Sequence, residues 1–472
     1  MCSSDLVYGT PGSSGTAGKV YVGTSAGLNR ERLDQIRFYN ATGPATHYCL
    51  QLSSGELVAG ANITLVTGHS NVRITSVATS NGSWTYVGAS NTYTFTSSAD
   101  NANILYTELQ NYLQSYSVEI KTSRVGGTQV GSIVFDAGVS VSKASSSSSA
   151  FVFTLTSGGE LQFNNSLSLR NSTSWPYYVG YSMLVNAGGH VRVGGVLDLS
   201  SINSSYGGGS LAVGSSVSMV VGGDLLVSGS GQILSNGGYN SGSSHYSYGG
   251  SGGSQSYVVS GGIELALGSV LSSLGGNGYN SSSYVTYGGT GGNISLSATN
   301  RVLMRGSVQS VGGNGYQGGS GGVLSVSSSG SYVDYSGVLS SAGGNGYAAG
   351  YTAGNGGNMS VSGFGGLSLR SDVNAGAGST GSYGVGGNIS LSDGNGVLTA
   401  GGGVNDGLVG GVLKGVNVSK SGVGVLGIGG ANAYTGATNL NAGSIVLNIA
   451  EGIPSTSDLT MAANTVFDLH GF

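Results

Sequence analysis

Apolar and polar residues alternate along most of this chain in short runs, and the runs return at a near-constant distance. Residues 269–297 read Ser-Val-Leu-Ser-Ser, then a glycine-rich excursion containing Gly275-Gly276-Asn277-Gly278-Tyr279, then Gly-Gly-Asn-Ile-Ser-Leu-Ser. The same order recurs twice more: Val270 aligns with Val308 and Val338, and the tyrosine motif returns at 312–316 and 343–347. The closing run repeats at 323–327, 358–362 and 388–392, so its leading apolar residue stands at Ile294, Leu324, Met359 and Ile389, in steps of 30, 35 and 30 residues. A period in this range is the signature of stacked repeats, each too small to bury its own apolar face.

Each unit offers three short apolar pairs, Ile294/Leu296, Val302/Met304 and Val308/Val311, with no helical pattern between them. Three strands per repeat predict one turn of a right-handed three-sided parallel β-helix, a β-solenoid in which each strand pairs with its counterpart about 4.8 Å along the axis. In Ile294-Ser295-Leu296-Ser297 the apolar pair points inward and the serines outward. The Gly-Gly pairs are expected to supply positive φ at glycine-rich corner loops, where a Cβ would clash. Asn277, Asn314 and Asn345 stand in register, as do Asn293, Asn358 and Asn388; stacked amides bonding along the axis and tolerating left-handed corners account for them better than a ligand does.

Outside the repeats the pattern is mixed. Leu28, Leu33 and Ile36 fit one short helix or an irregular loop, and from Asn62 strands begin at Ile63/Leu65, Val72/Ile74 and Trp84/Tyr86. Leu105, Leu109 and Leu113 predict a helix within 98–116, centred on 101–115, with Ser98 and Asp100 as caps. Strands follow over 117–120, 131–135, 151–155, 160–163 and 167–169. The expected division is a non-native or disordered start (1–18), an irregular N-terminal β region (19–97), β-helix coils (98–200), glycine-rich β-helix repeats (201–400) and a last repeat (401–472). Cys2-Ser3-Ser4-Asp5-Leu6 looks like a translated sequencing-adapter scar, no capping segment is evident at either end, and the chain reads as an internal fragment.

Composition sharpens this picture. Glycine is 92 of 472 residues and charged residues are 7%, values compatible with disorder, but 38% of residues are hydrophobic and fall at alternating positions, which disorder does not require. A net charge of −4 with only 15 Lys and Arg, nowhere clustered, gives no footprint for nucleic acid. No apolar run is long enough for a membrane helix, and two cysteines, Cys2 and Cys49, make no disulfide framework.

Two stretches resemble known families. The helix with Leu109 and Leu113, then Ser117-Val118-Glu119-Ile120, Gly131-Ser132-Ile133-Val134-Phe135 and Phe153-Thr154-Leu155-Thr156, looks like coils of filamentous-haemagglutinin-like surface proteins over 98–200. The stretch 420–472, with Lys420, Gly424, Leu426 and Ile428, then Asn432-Ala-Tyr434-Thr435-Gly436-Ala-Thr438, Leu440, Gly443, Ile445 and Leu447, is similar to the autotransporter-associated β-strand repeat of autotransporter passengers; His470 stands where that pattern usually has Asn. The resemblance implies a truncated repeat at 401–472 and a non-catalytic, adhesin-like passenger on the bacterial cell surface, at the outer membrane or secreted. It would be exported through an outer-membrane β-barrel translocator, or separately as haemagglutinin-like proteins are. Multivalent contact with cell-surface glycans or other cells is the expected mode, and a purely structural stalk or spacer is the alternative.

Chemistry-bearing motifs have bland explanations. Gly249-Gly-Ser251-Gly-Gly253 and Gly318-Gly-Ser320-Gly-Gly322 match a nucleophile elbow, but no helix follows, and the equivalent positions are Thr290 and Asn355, so corner turns are expected. Calcium-binding nonapeptides need an Asp where Asn280, Gln317 and Ala348 stand. A polysaccharide lyase or hydrolase needs clustered carboxylates; Glu264, Asp334, Asp372 and Asp393, with Arg301, Arg305 and Arg370, are not expected to gather on one face. His47, His69, His190, His245 and His470 show no metal spacing, so no catalytic, metal or cofactor site is assigned. The outward Ser-x-Ser rows from Ser295/Ser297 to Ser390/Ser392 are read as a solvated strand face rather than an ice-binding one. The residues expected to touch a ligand are Tyr239, Tyr279, Tyr316 and Tyr347; their rings either meet a sugar or partner, or fold back to cover the solenoid flank.

Overall fold

The structure is a computed structural model that describes residues 50–52, 55–57 and 68–471, apart from 125–126, 146–149, 172–180, 202, 204–212, 240–245, 280–284, 348–350, 379–383, 394–406, 410–412 and 416. The chain divides into two units, Met1–Ile63 and Thr64–Phe472. In the first, the described residues form one antiparallel pair, Leu50–Leu52 with Gly55–Leu57. The start over 1–18, the helix or loop at 28–36 and both cysteines lie outside the described residues.

The second unit is a parallel-sheet solenoid. Its alternating triplets and quintets are too short to be stable alone, so each coil lays its strands on those of the coil before, and three long ladders result. Sheet 1 carries the Ser-x-Ser strands, with Ile294, Leu324, Met359, Ile389 and Val418 in one register column, all buried. Sheet 2 runs from Ala102–Leu105 through Val72–Thr75, Ile263–Leu265, Val302–Met304 and Val333–Tyr335 to Val466–Asp468, and sheet 3 from Val141–Ser145 to Leu413–Lys414. Pairing is parallel throughout these ladders except between Gly82–Val87 and Thr92–Ser97 at one margin of sheet 1. The ladders pass positions 97, 200 and 400 without a break.

The alternation holds inside each strand. In Ile294–Ala298 the residues Ile294, Leu296 and Ala298 are buried while Ser295 is exposed. One register expectation is corrected. Val270 aligns with Ser307 and Val338, whereas Val308 aligns with Leu271 and Leu339. Leu271, Val308 and Leu339 are therefore the fully buried column, and Val338 is exposed. A one-residue slip exchanges the two faces of a strand, and a Val-Leu doublet gives the pattern nothing to choose by.

The helix is also shorter than expected. Ala102–Leu105 is a strand of sheet 2, and the helix occupies Tyr106–Leu113 with Leu109 and Leu113 buried. Ser98 and Asp100 do not cap it: the cap residue is Leu105, whose amide donates to Thr79 Oγ1 at 3.0 Å. Asp100 instead pairs with Arg124 at 2.6 Å and accepts from Thr128, and these bonds hold its carboxyl down at about 2. The helix packs on Val141–Ser145, where Gln110 Oε1 accepts from the Ser142 amide, so it covers the first strand of sheet 3. Trp84 packs against Phe95 and Tyr112 with ring centroids 5.2 and 4.8 Å away. This margin of the stack is therefore capped, contrary to expectation, by a helix, a hairpin and an aromatic cluster. A solenoid needs such a closure to keep its first coil from exposing the core. At the other margin Leu459, Met461, Val466 and Leu469 are exposed.

Candidate functional site

The glycine-rich excursions leave the coil between sheets 3 and 1 as paired extended arms, one outgoing and one returning. Arms of like kind bond along the stack: Gly237 donates to Leu274 O at 2.8 Å, Gly275 to Val311 O at 2.8 Å and Gly312 to Ala342 O at 3.0 Å on the outgoing side. Gly249 to Tyr287 O and Gly288 to Gln317 O repeat this on the returning side. A second series zigzags between the two rows, Gly250 to Gly238, Gly276 to Gly250, Gly289 to Gly276, Gly313 to Gly289, Gly319 to Gly313, Gly344 to Gly319 and Gly354 to Gly344, at 2.7–2.9 Å. The arms thus form a fin cross-linked in two directions by its own backbone.

This explains the glycines by closeness rather than by φ. None of these fin glycines has φ in the left-handed region; the described glycines that do are Gly131, Gly268, Gly366, Gly422, Gly443 and Gly471. A Cβ built on Gly313 would overlap the carbonyl oxygen of Gly276, and one on Gly289 that of Gly250. Backbones approach as closely as the hydrogen bond requires only when no side chain intervenes. The expected positive-φ corners are therefore corrected to a backbone lattice.

Serines lock the root of the fin. Ser235, Ser273, Ser310 and Ser341 are fully buried, and their hydroxyls donate to Ser215 O, Gly253 O, Gly292 O and Gly357 O of the adjoining returning arms. The asparagines act as through-stack acceptors. Asn277 Oδ1 takes the Asn314 amide at 2.7 Å, Asn314 Oδ1 the Asn345 amide at 2.8 Å, and Asn358 Oδ1 the Asn388 amide at 2.9 Å. The ladder runs from side chain to main chain at these positions and passes from amide to amide where Asn417 Nδ2 donates to Asn388 Oδ1 at 2.9 Å; none of these asparagines is left-handed, whereas Asn81, Asn91, Asn101 and Asn464 are. Ser251, Thr290, Ser320 and Asn355 follow one another on the returning arms as the corner reading requires, with Gly252 donating to Thr290 O, Gly291 to Ser320 O and Gly321 to Asn355 O.

The four tyrosines close the outgoing arms, all half-buried. Their amides donate to Asn203 Oδ1 for Tyr239, Ser247 Oγ for Tyr279, Thr286 Oγ1 for Tyr316 and Gly315 O for Tyr347, at 3.0–3.1 Å. Tyr347 differs from the rest. Its hydroxyl reaches back to the carbonyls of Gly278 and Asn314, and burial, with Tyr239 nearby, pushes its phenol up to about 12. It is a strut across the arms. Tyr316 instead packs on Tyr351 with centroids 4.0 Å apart, and Tyr248 stacks on Tyr287 at 4.7 Å and 5°, one coil step along the returning arms.

The carboxylates do gather in part, which corrects the sequence reading. Glu264, Leu303 and Asp334 occupy one outward column of sheet 2 on successive coils. Glu264 meets Arg301 at 3.7 Å and Asp334 meets Arg370 at 3.1 Å. The groove beside Glu264 is lined by Asp224, Asn300, Arg301 and Ser331, and Asp334 lies outside it. Asp372 pairs with Lys414 on the flank of sheet 3, and the Asp393 side chain lies outside the described residues. Glu264 and Asp334 are each tied to an arginine and share no cleft. Among the described residues no cluster of His, Cys, Asp and Glu could hold a metal ion, and no helix is long and apolar enough to cross a membrane.

In the stretch similar to the autotransporter-associated repeat, residues 418–468 extend sheets 1 and 2 alone, by Val418–Ser421, Thr438–Leu440 and Leu459–Met461 in the first and by Val425–Ile428, Ser444–Leu447 and Val466–Asp468 in the second. Lys420 is fully buried in an inward column between Leu391 and Leu440, its ammonium donating to the carbonyls of Ser421, Gly422 and Ala442. Tyr434 meets Thr438 at 2.6 Å, Thr438 meets Ser457 at 2.8 Å, and Asn432 donates to Gly452 O at 2.6 Å, so the residues that carry the motif are interior braces. His470 has φ of 50°, the left-handed region that Asn adopts more readily than most residues. Compared with protein families, with curated proteins and with solved structures, the chain matches none.

Proposed function

We propose that this chain is a right-handed, three-sided β-helical passenger of a bacterial surface-displayed or secreted adhesin-like protein. It works without catalysis, by multivalent contact along its repeats. The observation that carries this reading is that successive coils present the same outward side chains at the same register, as in Ser295, Ser325, Ser360 and Ser390. Weak identical contacts on a rigid spacing add through effective concentration, which no single pocket on this surface needs to match. The resemblance of 98–200 and 420–472 to haemagglutinin-like and autotransporter passenger sequences supports export to the cell surface, with an outer-membrane β-barrel as the translocating partner and glycans or other cells as the contacted surface.

A structural stalk or spacer is the second reading, favoured by the spent hydroxyl of Tyr347. The two separate in one experiment. Bacteria displaying the chain, and bacteria displaying Tyr279→Ala/Tyr316→Ala, are scored for adhesion to host cells and to one another, with Tyr347 left intact because it braces the fold. Adhesion by the parent above the empty display strain supports the adhesin, and its fall in the variant assigns the fin. A parent that adheres no better than the empty strain overturns the adhesin in favour of the spacer.

A further inference from the structure

Charge is distributed unevenly over the three ladders. Outward positions of sheet 2 and its margins carry the pairs Arg73–Asp136, Arg192–Glu160, Arg301–Glu264 and Arg370–Asp334, and sheet 3 carries Arg170–Asp198 and Lys414–Asp372. Sheet 1 carries one such pair, Glu119–Lys121 on Ser117–Lys121, and differs beyond it. From Val152–Ser157 to Val418–Ser421 none of its described outward positions holds a charged side chain. What it holds from Ile294–Ala298 onward is serine, while Leu184, Val220 and Val258 stand exposed among the outward positions of the coils before. Ser218, Ser256, Ser295, Ser325, Ser360, Ser390 and Ser419 form one unbroken register column over seven strands, and Ser297, Ser327, Ser362, Ser392 and Ser421 form a second beside it.

Ser419 and Ser421 accept from Asn439 and Asn441 at the end of the columns, and the hydroxyls before them are less engaged. The buried serines at the fin root each donate to a carbonyl, whereas Ser256, Ser295, Ser325, Ser327, Ser360 and Ser390 make no side-chain hydrogen bond among the described residues. Geometry makes them a lattice, repeating about 4.8 Å along the stack and about 6.6 Å across it. A charged partner would find no counter-charge on these serine columns, and an apolar one would leave the hydroxyls without water or acceptor, which costs free energy for every group so covered.

We propose that sheet 1 is a binding face for a neutral, extended polysaccharide laid along the stack, exchanging hydrogen bonds between sugar hydroxyls and the two serine columns. The inference rests on the surface-contact reading above and names its partner class. It also moves the sugar contact from the tyrosine fin to a different part of the coil. Ordered ice offers hydroxyls too, but serine lacks the methyl groups that threonine would set against an ice surface.

The test is retention of the whole chain on microcrystalline cellulose, with alginate beads as the anionic control and thermal unfolding to verify the fold. Expected is retention on cellulose and not on alginate, and at least a tenfold loss of affinity in Ser295→Lys/Ser360→Lys, two coils apart so that the new charges do not adjoin. Gln162→Lys, outward on sheet 2, is expected to bind as the parent does, and Ser295→Thr/Ser360→Thr to retain binding. The proposal is overturned if the parent is not retained on cellulose, if Tyr279→Ala/Tyr316→Ala loses retention while the lysine variant keeps it, or if the chain arrests ice-crystal growth without holding cellulose. A parent that adheres to cells but not to cellulose sinks this inference alone; one that does neither sinks the surface-contact reading as well.

Discussion

The side-chain core and the glycine fin are built from the same repeats and stabilised by opposite means. Ile294, Leu324, Met359 and Ile389 remove apolar surface from water, and each can be exchanged for a neighbour of similar volume at modest cost. The side chains the fin buries are small, among them Ser247, Thr286 and Ala353. Its cohesion lies in amides that bond along the stack and across it, so its demand is for the absence of Cβ atoms. The core therefore tolerates Val, Leu, Ile and Met in one column, whereas the fin accepts a single residue type at Gly276, Gly289, Gly313, Gly319 and Gly344.

That contrast can be broken by substitution. Gly313→Ala, which sets a methyl against the backbone of Gly276, should cost about 4 kcal/mol and abolish local hydrogen-exchange protection in the fin before the coil unfolds. A loss under about 1 kcal/mol in chemical denaturation would show that the arms are not a lattice. Leu296→Ala in the core should cost about 3 kcal/mol through its cavity, spread over the coil's neighbours instead of confined to the fin. Ser310→Ala removes a buried bond to Gly292 O and should cost about 1 kcal/mol, while Tyr347→Phe should cost a similar amount and Tyr279→Phe close to nothing. Equal effects of the two tyrosine changes would contradict the strut.

The smallest effects are electrostatic. Asp100 sits at about 2 against an ordinary 3.8, so its bonds to Thr128 and Arg124 stabilise the capped margin above pH ~4, and that support is lost as pH falls through about 2. Fluorescence of Trp84 followed down in pH should report this margin before far-ultraviolet dichroism reports the ladders; simultaneous loss would refute a separate cap. Tyr347 works in the other direction, its support present below pH ~10 and lost as pH rises through about 12. Burial raises Tyr181, Tyr257, Tyr335 and Tyr434 as well, so phenolate absorbance should lag behind free tyrosine until the core opens.

The spacing of Ile294, Leu324, Met359 and Ile389 was enough to predict in-register parallel stacking, because a recurrent pair of apolar residues has one partner that buries it, its own copy on the next coil. The candidate site was legible in part. Tyr239, Tyr279, Tyr316 and Tyr347 were found by repetition, but repetition made them look alike. Only their surroundings separate Tyr347, with its hydroxyl bonded two arms away, from Tyr316, stacked on Tyr351. The face of Glu264 and Asp334 was missed because loops of unequal length lie between strands, so a fixed thirty-residue projection drifts out of phase. The Val-Leu doublets failed for a related reason, since either residue satisfies a local pattern and the pairing partner decides.

By itself, then, the sequence determined which residues repeat, which strands stack and that the serines face out, since these follow from a period of two within strands and about thirty between them. The tertiary structure alone decided that the glycines form a lattice, that the helix closes one margin and that the described outward positions of sheet 1 from Val152 to Ser421 carry no charge. Each of those depends on which backbones and side chains lie side by side after hundreds of residues have wound back on themselves, and no local pattern records that distance.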